Sequence, residues 1–191
     1  MQKEYGLSSS ADCYLNKYQK ILNEMIQKMT EAELTNSISH NFIVQMIPHH
    51  KAAIEMSKNV LCYTENKNLQ DIAKGIISEQ TKSIENMLEI EGFCEKLENS
   101  CKAVDFYQCR IRKIMQVMFA EMSKAYSDNR IDCNFMREMI PHHLGAVKMS
   151  KNALQFHICP ELKPILDAII ISQEKGICQM RKLLCCLNCR I

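Results

Sequence analysis

Apolar residues recur along this chain at three- and four-residue spacing, and the strict alternation of a half-buried strand is absent. The pattern predicts helices throughout. The first runs from about Asp12 to Met29, with Ile21, Met25 and Met29 on its apolar stripe. A second helix is expected to start at Ser39, whose side-chain oxygen suits an orphan N–H of the first turn, and to end near Leu61. A third runs from about Asn66 to about Leu88.

The pattern then repeats at an offset of 93 residues. Ile114, Met118 and Met122 repeat the first stripe, and Asp132 takes the cap position of Ser39. The second helix of this copy ends near Leu154, and the third runs from about Pro160, where proline suits a first turn, to about Leu184. Leu69, Ile72, Ile76, Ile77, Gln80, Ile84 and Met87 match Leu162, Ile165, Ile169, Ile170, Gln173, Ile177 and Met180 in register. Residues 11–97 and 104–190 are therefore two copies of one three-helix unit, joined around Glu98-Asn99-Ser100. The expectation is an all-α fold: one compact helical domain over 1–191, its halves related by a pseudo-twofold axis like two protomers. Five glycines and four prolines in 191 residues fit helices with short connections.

Between the copies, identity concentrates in one phrase. Asn41-Phe42-x3-Met46-Ile47-Pro48-His49-His50-x2-Ala53-x2-Met56-Ser57-Lys58-Asn59-x-Leu61 returns as Asn134-Phe135-x3-Met139-Ile140-Pro141-His142-His143-x2-Ala146-x2-Met149-Ser150-Lys151-Asn152-x-Leu154, with 13 of 21 positions identical. Helix packing asks for apolar and polar positions; it does not ask twice for Pro-His-His flanked by methionines. Four of six histidines lie here, while His40 and His157 have no counterparts and read as incidental.

At 100° per residue, Met46, His49, His50 and Ala53 share one helix face, and Met56 lies near the line of His49. Met139, His142, His143, Ala146 and Met149 do the same. Small residues beside the rings, Ala52 and Gly145, leave room for a ligand. Imidazole with thioether suits Cu(I) or Ag(I) better than the oxygen-seeking Mg, Ca or Mn; Zn and Fe are further options. The sequence leaves open whether the motifs meet at the axis or form two separate sites. Gln80 and Gln173 are candidates to fix the histidine tautomers from behind. Metal affinity is expected to fall as pH drops through the histidine pKa.

Pro48 and Pro141 sit inside these helices, where proline removes a hydrogen bond and presses on the carbonyl of Val44 or Arg137. A kink that aims the histidines accounts for them; so does a helix that begins only at the proline.

Eleven cysteines are expected to be mostly thiols in a reducing compartment. Cys178, Cys185, Cys186 and Cys189 form the one dense group, a candidate secondary thiol site. Net charge is +2 with 47% hydrophobic residues and no basic run, which excludes disorder and gives no purchase for nucleic acid. Met1–Ser10 lacks the apolar core of a signal peptide, and no uncharged apolar run approaches the roughly 20 residues of a membrane span. A cytoplasmic protein without membrane contact is expected, its partner a metal ion, with homo-oligomer formation left open.

At these residues the sequence resembles the ferritin-like domain of unknown function numbered 305, in two copies. Its hallmark is Met-Ile-Pro-His-His-x5-Met, followed by a helix with Gln and Met seven apart: Gln80 to Met87, Gln173 to Met180. The resemblance implies a ferritin-like helical bundle and metal binding, with copper handling proposed for some members. Most relatives are exported; the missing signal and the many cysteines depart from that pattern. Three functions compete. One is non-catalytic binding or storage of a soft metal. The second is a di-iron oxidoreductase, which needs Glu-x-x-His pairs that this chain lacks. The third is a structural helical protein without metal. No nucleophile with a positioned base and no phosphate loop is visible.

Overall fold

The computed structural model describes residues 6–190; Met1–Tyr5, half of the segment read for a leader, and Ile191 lie outside the described residues. Six helices follow in order: α1 Ser9–Thr30, α2 Ile38–Leu61, α3 Lys67–Cys94, α4 Cys101–Ser123, α5 Ile131–Ala153 and α6 Leu162–Cys186. Among the described residues no helix is long and apolar enough to cross a membrane.

In each half the middle helix is the hub: α2 packs on α1 and α3, and α5 packs on α4 and α6. The halves join through α2 against α5 and α3 against α6. Hubs contacted on several sides must be buried nearly all round. Accordingly α2 buries His49, His50, Asn41, Gln45 and Ser57 along with Phe42, Met46 and Met56, and α5 buries the equivalent set.

The helices run unbroken through Pro48 and Pro141, so they do not begin at the prolines. Their starts differ from expectation. Ser37, not Ser39, caps α2, its Oγ accepting from the His40 N–H at 3.2 Å. Ser39 is buried in the first turn, and its Oγ accepts the Cys159 N–H at 2.8 Å. Asp132 lies inside the first turn of α5, where a negative charge suits the helix dipole, and Arg130 precedes that helix without a side-chain cap. The third helices run on to Cys94 and Cys186, and Pro160 lies ahead of α6 rather than in its first turn.

Part of the repeated phrase is scaffold. Asn41 accepts from Thr35 N–H at 2.8 Å and donates to Thr35 O at 2.9 Å. Asn134 clasps Asp128 in the same way, at 3.0 and 2.7 Å. Asn59 donates to the Tyr14 carbonyl on α1 at 3.1 Å.

The space beside Gly145 is not free for a ligand. A Cβ there would lie 2.8 Å from Cγ of Met118, whose thioether fills the notch against α5. Gly145→Ala is expected to destabilise by about 1–3 kcal/mol, because a packed side chain must leave its place. Denaturant melts check this; an unchanged midpoint would show that Met118 moves aside freely.

Candidate metal centre

The two Pro-His-His turns meet where α2 crosses α5. The His49 and His142 rings stack with centroids 3.6 Å apart and planes inclined by 27°. His49 Nε2 lies 3.2 Å from the His142 carbonyl oxygen, and His142 Nε2 lies 3.1 Å from that of His49. The exchange is reciprocal between equivalent residues, so the pseudo-twofold axis passes between these rings. Of the two arrangements that the sequence left open, the motifs meet at the axis through His49 and His142.

The reciprocal contact also sets the chemistry. A carbonyl oxygen only accepts, so each Nε2 carries its proton and each Nδ1 holds a bare lone pair. Both Nδ1 atoms are buried without a partner, as are those of His50 and His143. Four unpartnered ring nitrogens in one core are costly unless something takes them.

All four rings are kept neutral. Burial pushes the pKa of His50 down to about 3 and that of His142 down to about 4. Burial, and then the neighbouring rings, hold His49 and His143 well below the usual histidine value. Neutral imidazole is the form that ligates metal.

His50 and His143 turn from the axis toward two equivalent clefts along the α3–α6 seam, of about 470 and 480 Å³. Glu79 and Ser172, equivalent residues, border both. One difference between the copies lies directly against these rings. Ser83 Oγ hydrogen-bonds His50 Nε2 at 3.1 Å. Its counterpart is Gly176, where a Cβ would lie 2.9 Å from Cδ2 and 3.0 Å from Nε2 of His143. His143 thus borders its cleft without that hydroxyl.

Met46, Met56, Met139 and Met149 are buried in the same core as the histidines. Gln80 and Gln173 are buried and border the His50 cleft, but neither bonds a histidine; both amide atoms of Gln80 and Oε1 of Gln173 lack partners. The tautomers of His49 and His142 are fixed by main-chain carbonyls instead.

Among the described residues, no three His, Cys, Asp or Glu side chains gather as a metal-holding group. The thiol group read from the C-terminus does not assemble. Cys189 is joined to Cys133 in a disulfide, contrary to the expectation of free thiols, while Cys178, Cys185 and Cys186 are exposed.

One buried carboxyl group stands outside the predicted ligand set. Glu138 is buried one turn before His142 and accepts from the Tyr14 hydroxyl at 2.6 Å, while its Oε1 has no partner. Burial raises its pKa to about 8. Gln45 stands at the equivalent position, and the hydroxyl of Tyr107, the counterpart of Tyr14, is unpartnered. A carboxyl in place of an amide was the available signal.

The chain matches the family model described as Domain of unknown function (DUF305) over residues 13–91 and 103–184. It is similar to the solved structure of CopM in the Ag-bound form, at 27% identity, covering 78% of this chain and 96% of that one, with a TM-score of 0.57. CopM in the Cu(I)-bound form is 27% identical over 80% of this chain and 96% of that one, with a TM-score of 0.55. A DUF305 fragment from Deinococcus radiodurans shares the fold, at 22% identity over 77% and 95% of the two chains and a TM-score of 0.57. No curated protein matches the sequence.

Proposed function

This chain belongs to the DUF305 family, and we propose that it is a non-catalytic protein that binds or stores a soft metal ion, Cu(I) foremost. The observation that carries this reading is the set of four buried, neutral imidazoles whose Nδ1 atoms have no partner, two of them, on His49 and His142, with the lone pair bare. Buried polar atoms left bare cost about 1–3 kcal/mol each. A fold that repeats them in register has a use for them.

The ligands are drawn from Met46, His49, His50 and Met56 and from Met139, His142, His143 and Met149. Thioether and imidazole are neutral and soft to borderline, and they leave a monovalent d10 ion its charge in a dry core. The one carboxylate buried among the described residues is Glu138, and its hydrogen bond goes to Tyr14. That inventory favours copper or silver over a carboxylate-bridged iron pair. The resemblance to CopM, solved with Ag and Cu(I), points the same way. Gln80 and Gln173, with unpartnered amide atoms at the His50 cleft, would orient ligands there from outside.

Anaerobic titration of Cu(I) against a chromophoric chelator tests the reading. The wild-type protein is expected to strip copper from the chelator, and the His49→Ala/His142→Ala variant to lose at least tenfold in affinity, about 1.4 kcal/mol. Full affinity in that folded double variant would sink the proposal.

A further inference from the structure

The duplicated core is not closed alike on its two sides. His50 and His143 each place a ring between the core and a cleft. Nδ1 is buried without a partner, and the ring borders the space along the α3–α6 seam. On the first side the outer nitrogen is taken. Ser83 Oγ lies 3.1 Å from His50 Nε2, and whichever of the two donates, that nitrogen is engaged.

On the second side the hydroxyl is missing. Gly176 stands at the position of Ser83, and among the described residues no hydrogen bond like that of His50 engages His143 Nε2. A Cβ at 176 would lie 2.9 Å from Cδ2 and 3.0 Å from Nε2 of His143, so the ring rests against bare backbone where any side chain would press on it. The contact runs along the Cδ2–Nε2 edge, and Gly176 lines the same cleft as the ring. It is therefore Nε2 that the missing side chain leaves uncovered. Glycine weakens a helix interior, and no glycine of the described residues has a positive φ. The backbone does not call for glycine at 176; the approach of the ring does.

We propose that His143 is the port of the core: a soft ion, Cu(I) or Ag(I), enters and leaves through the His143 cleft by ligand exchange at Nε2, while Ser83 keeps the His50 side latched. This route presupposes that the core holds a soft metal. Imidazole nitrogen is a ligand such ions accept, and His143 Nε2 is the first one met from that cleft. In the exchange, one bond from the ion to the ligand it arrives with breaks as one to Nε2 forms. A neutral ring carries a single proton; where it starts on Nε2 it ends on Nδ1, so no proton is lost and no electron moves. At His50 the same step must first give up the Ser83 hydrogen bond, which makes that side the slower one. Ser83 is thus a positioning residue, and Gly176 is its deliberate absence.

The test begins without metal. Folded full-length protein is treated at neutral pH with diethyl pyrocarbonate, which acylates the free nitrogen of neutral imidazole, and the sites are mapped by peptide mass spectrometry. Of the four core histidines, His143 is expected to react first. Ser83→Ala keeps the helix and removes the hydroxyl, and it should speed the reaction of His50 by about two- to tenfold, the weight of one ordinary hydrogen bond. Cu(I)-loaded protein is then mixed rapidly with excess chromophoric chelator. Ser83→Ala, with a second way out, should release copper faster than wild type. Gly176→Ser, which crowds the ring and returns the hydroxyl, should release it more slowly; if that variant does not fold, Ser83→Ala decides alone. Wild-type protein in which His50 reacts as fast as His143 would overturn the port, and so would either readout unchanged in Ser83→Ala. Labelling led by His143 in a protein that takes up no Cu(I) would sink the soft-metal reading, and the port with it. Cu(I) uptake with His50 labelled first would sink the port alone.

Discussion

Metal-free protein taken from about pH 7 to about pH 5 is expected to lose most of its stability and to unfold cooperatively. The cause is the four neutral imidazoles in the core. In the unfolded chain each takes up a proton near its ordinary pKa of about 6.5. In the folded chain burial forbids this until the pH approaches about 4 for His142 and about 3 for His50, with His49 and His143 also held far down. The unfolded state therefore binds more protons throughout that window. The contribution of these rings is complete above the ordinary value and drains as pH falls toward the folded ones. Each histidine gives a slope of about 1.4 kcal/mol per pH unit, so four give about 5. Total stabilities are only about 5–15 kcal/mol.

Glu138 works in the opposite direction. Its folded pKa of about 8 lies above its ordinary value, so its protonated form favours the fold, and it adds stability as pH falls from 8 toward the usual carboxylate range. A single carboxyl opposes four rings, so the net loss below about pH 6.5 survives, and stability is greatest near that pH. Thermal melts followed by circular dichroism across the range check this. A melting temperature that stays level or rises between about pH 6.5 and about pH 5 would mean that the rings are hydrated or already charged.

The helices, the duplication and the histidine pairs were legible in the chain because periodicity and register are local or repeated properties. What escaped was set by contacts between distant, non-equivalent positions. Ser39 looked like a cap, but its oxygen is taken by Cys159, 120 residues away. Gly145 looked like room for a ligand, but Met118 from α4 fills the notch. Tyr14 and Glu138 are 124 residues apart; the repeat marks Glu138 against Gln45, but nothing in it pairs that carboxyl with Tyr14. The facing of His49 and His142 was legible only as one of two arrangements, because a helix wheel places residues on a face without saying what that face meets. The tautomers needed the structure outright, since main-chain carbonyls fix them rather than the Gln80 and Gln173 amides.

Anaerobic Cu(I) is expected to offset part of the acid loss. An ion that takes the Nδ1 lone pairs binds the folded chain and not the unfolded one, and at 100 times the dissociation constant this adds about 2.7 kcal/mol. For a chain of this size that is a rise in melting temperature of about 5–10 °C. The same burial that makes the fold acid-sensitive protects the ligands. With folded pKa values near 4 and 3 for His142 and His50, protons do not compete for the rings at about pH 5, and affinity should hold well below the ordinary histidine pKa that the sequence alone points to. The copper-loaded protein should therefore melt above the metal-free protein at every pH from about 7 to about 5, and the gap should not shrink with acid. Met46→Leu/Met139→Leu separates ligation from packing. Leucine keeps nearly the volume of methionine, so the metal-free acid profile should be unchanged while the copper-induced rise falls. If Cu(I) leaves the wild-type melt where it was, the histidines are polar members of a core, and the soft-metal reading goes with them. If the leucine variant keeps the full rise, the thioethers are packing and the ion is held by imidazole alone.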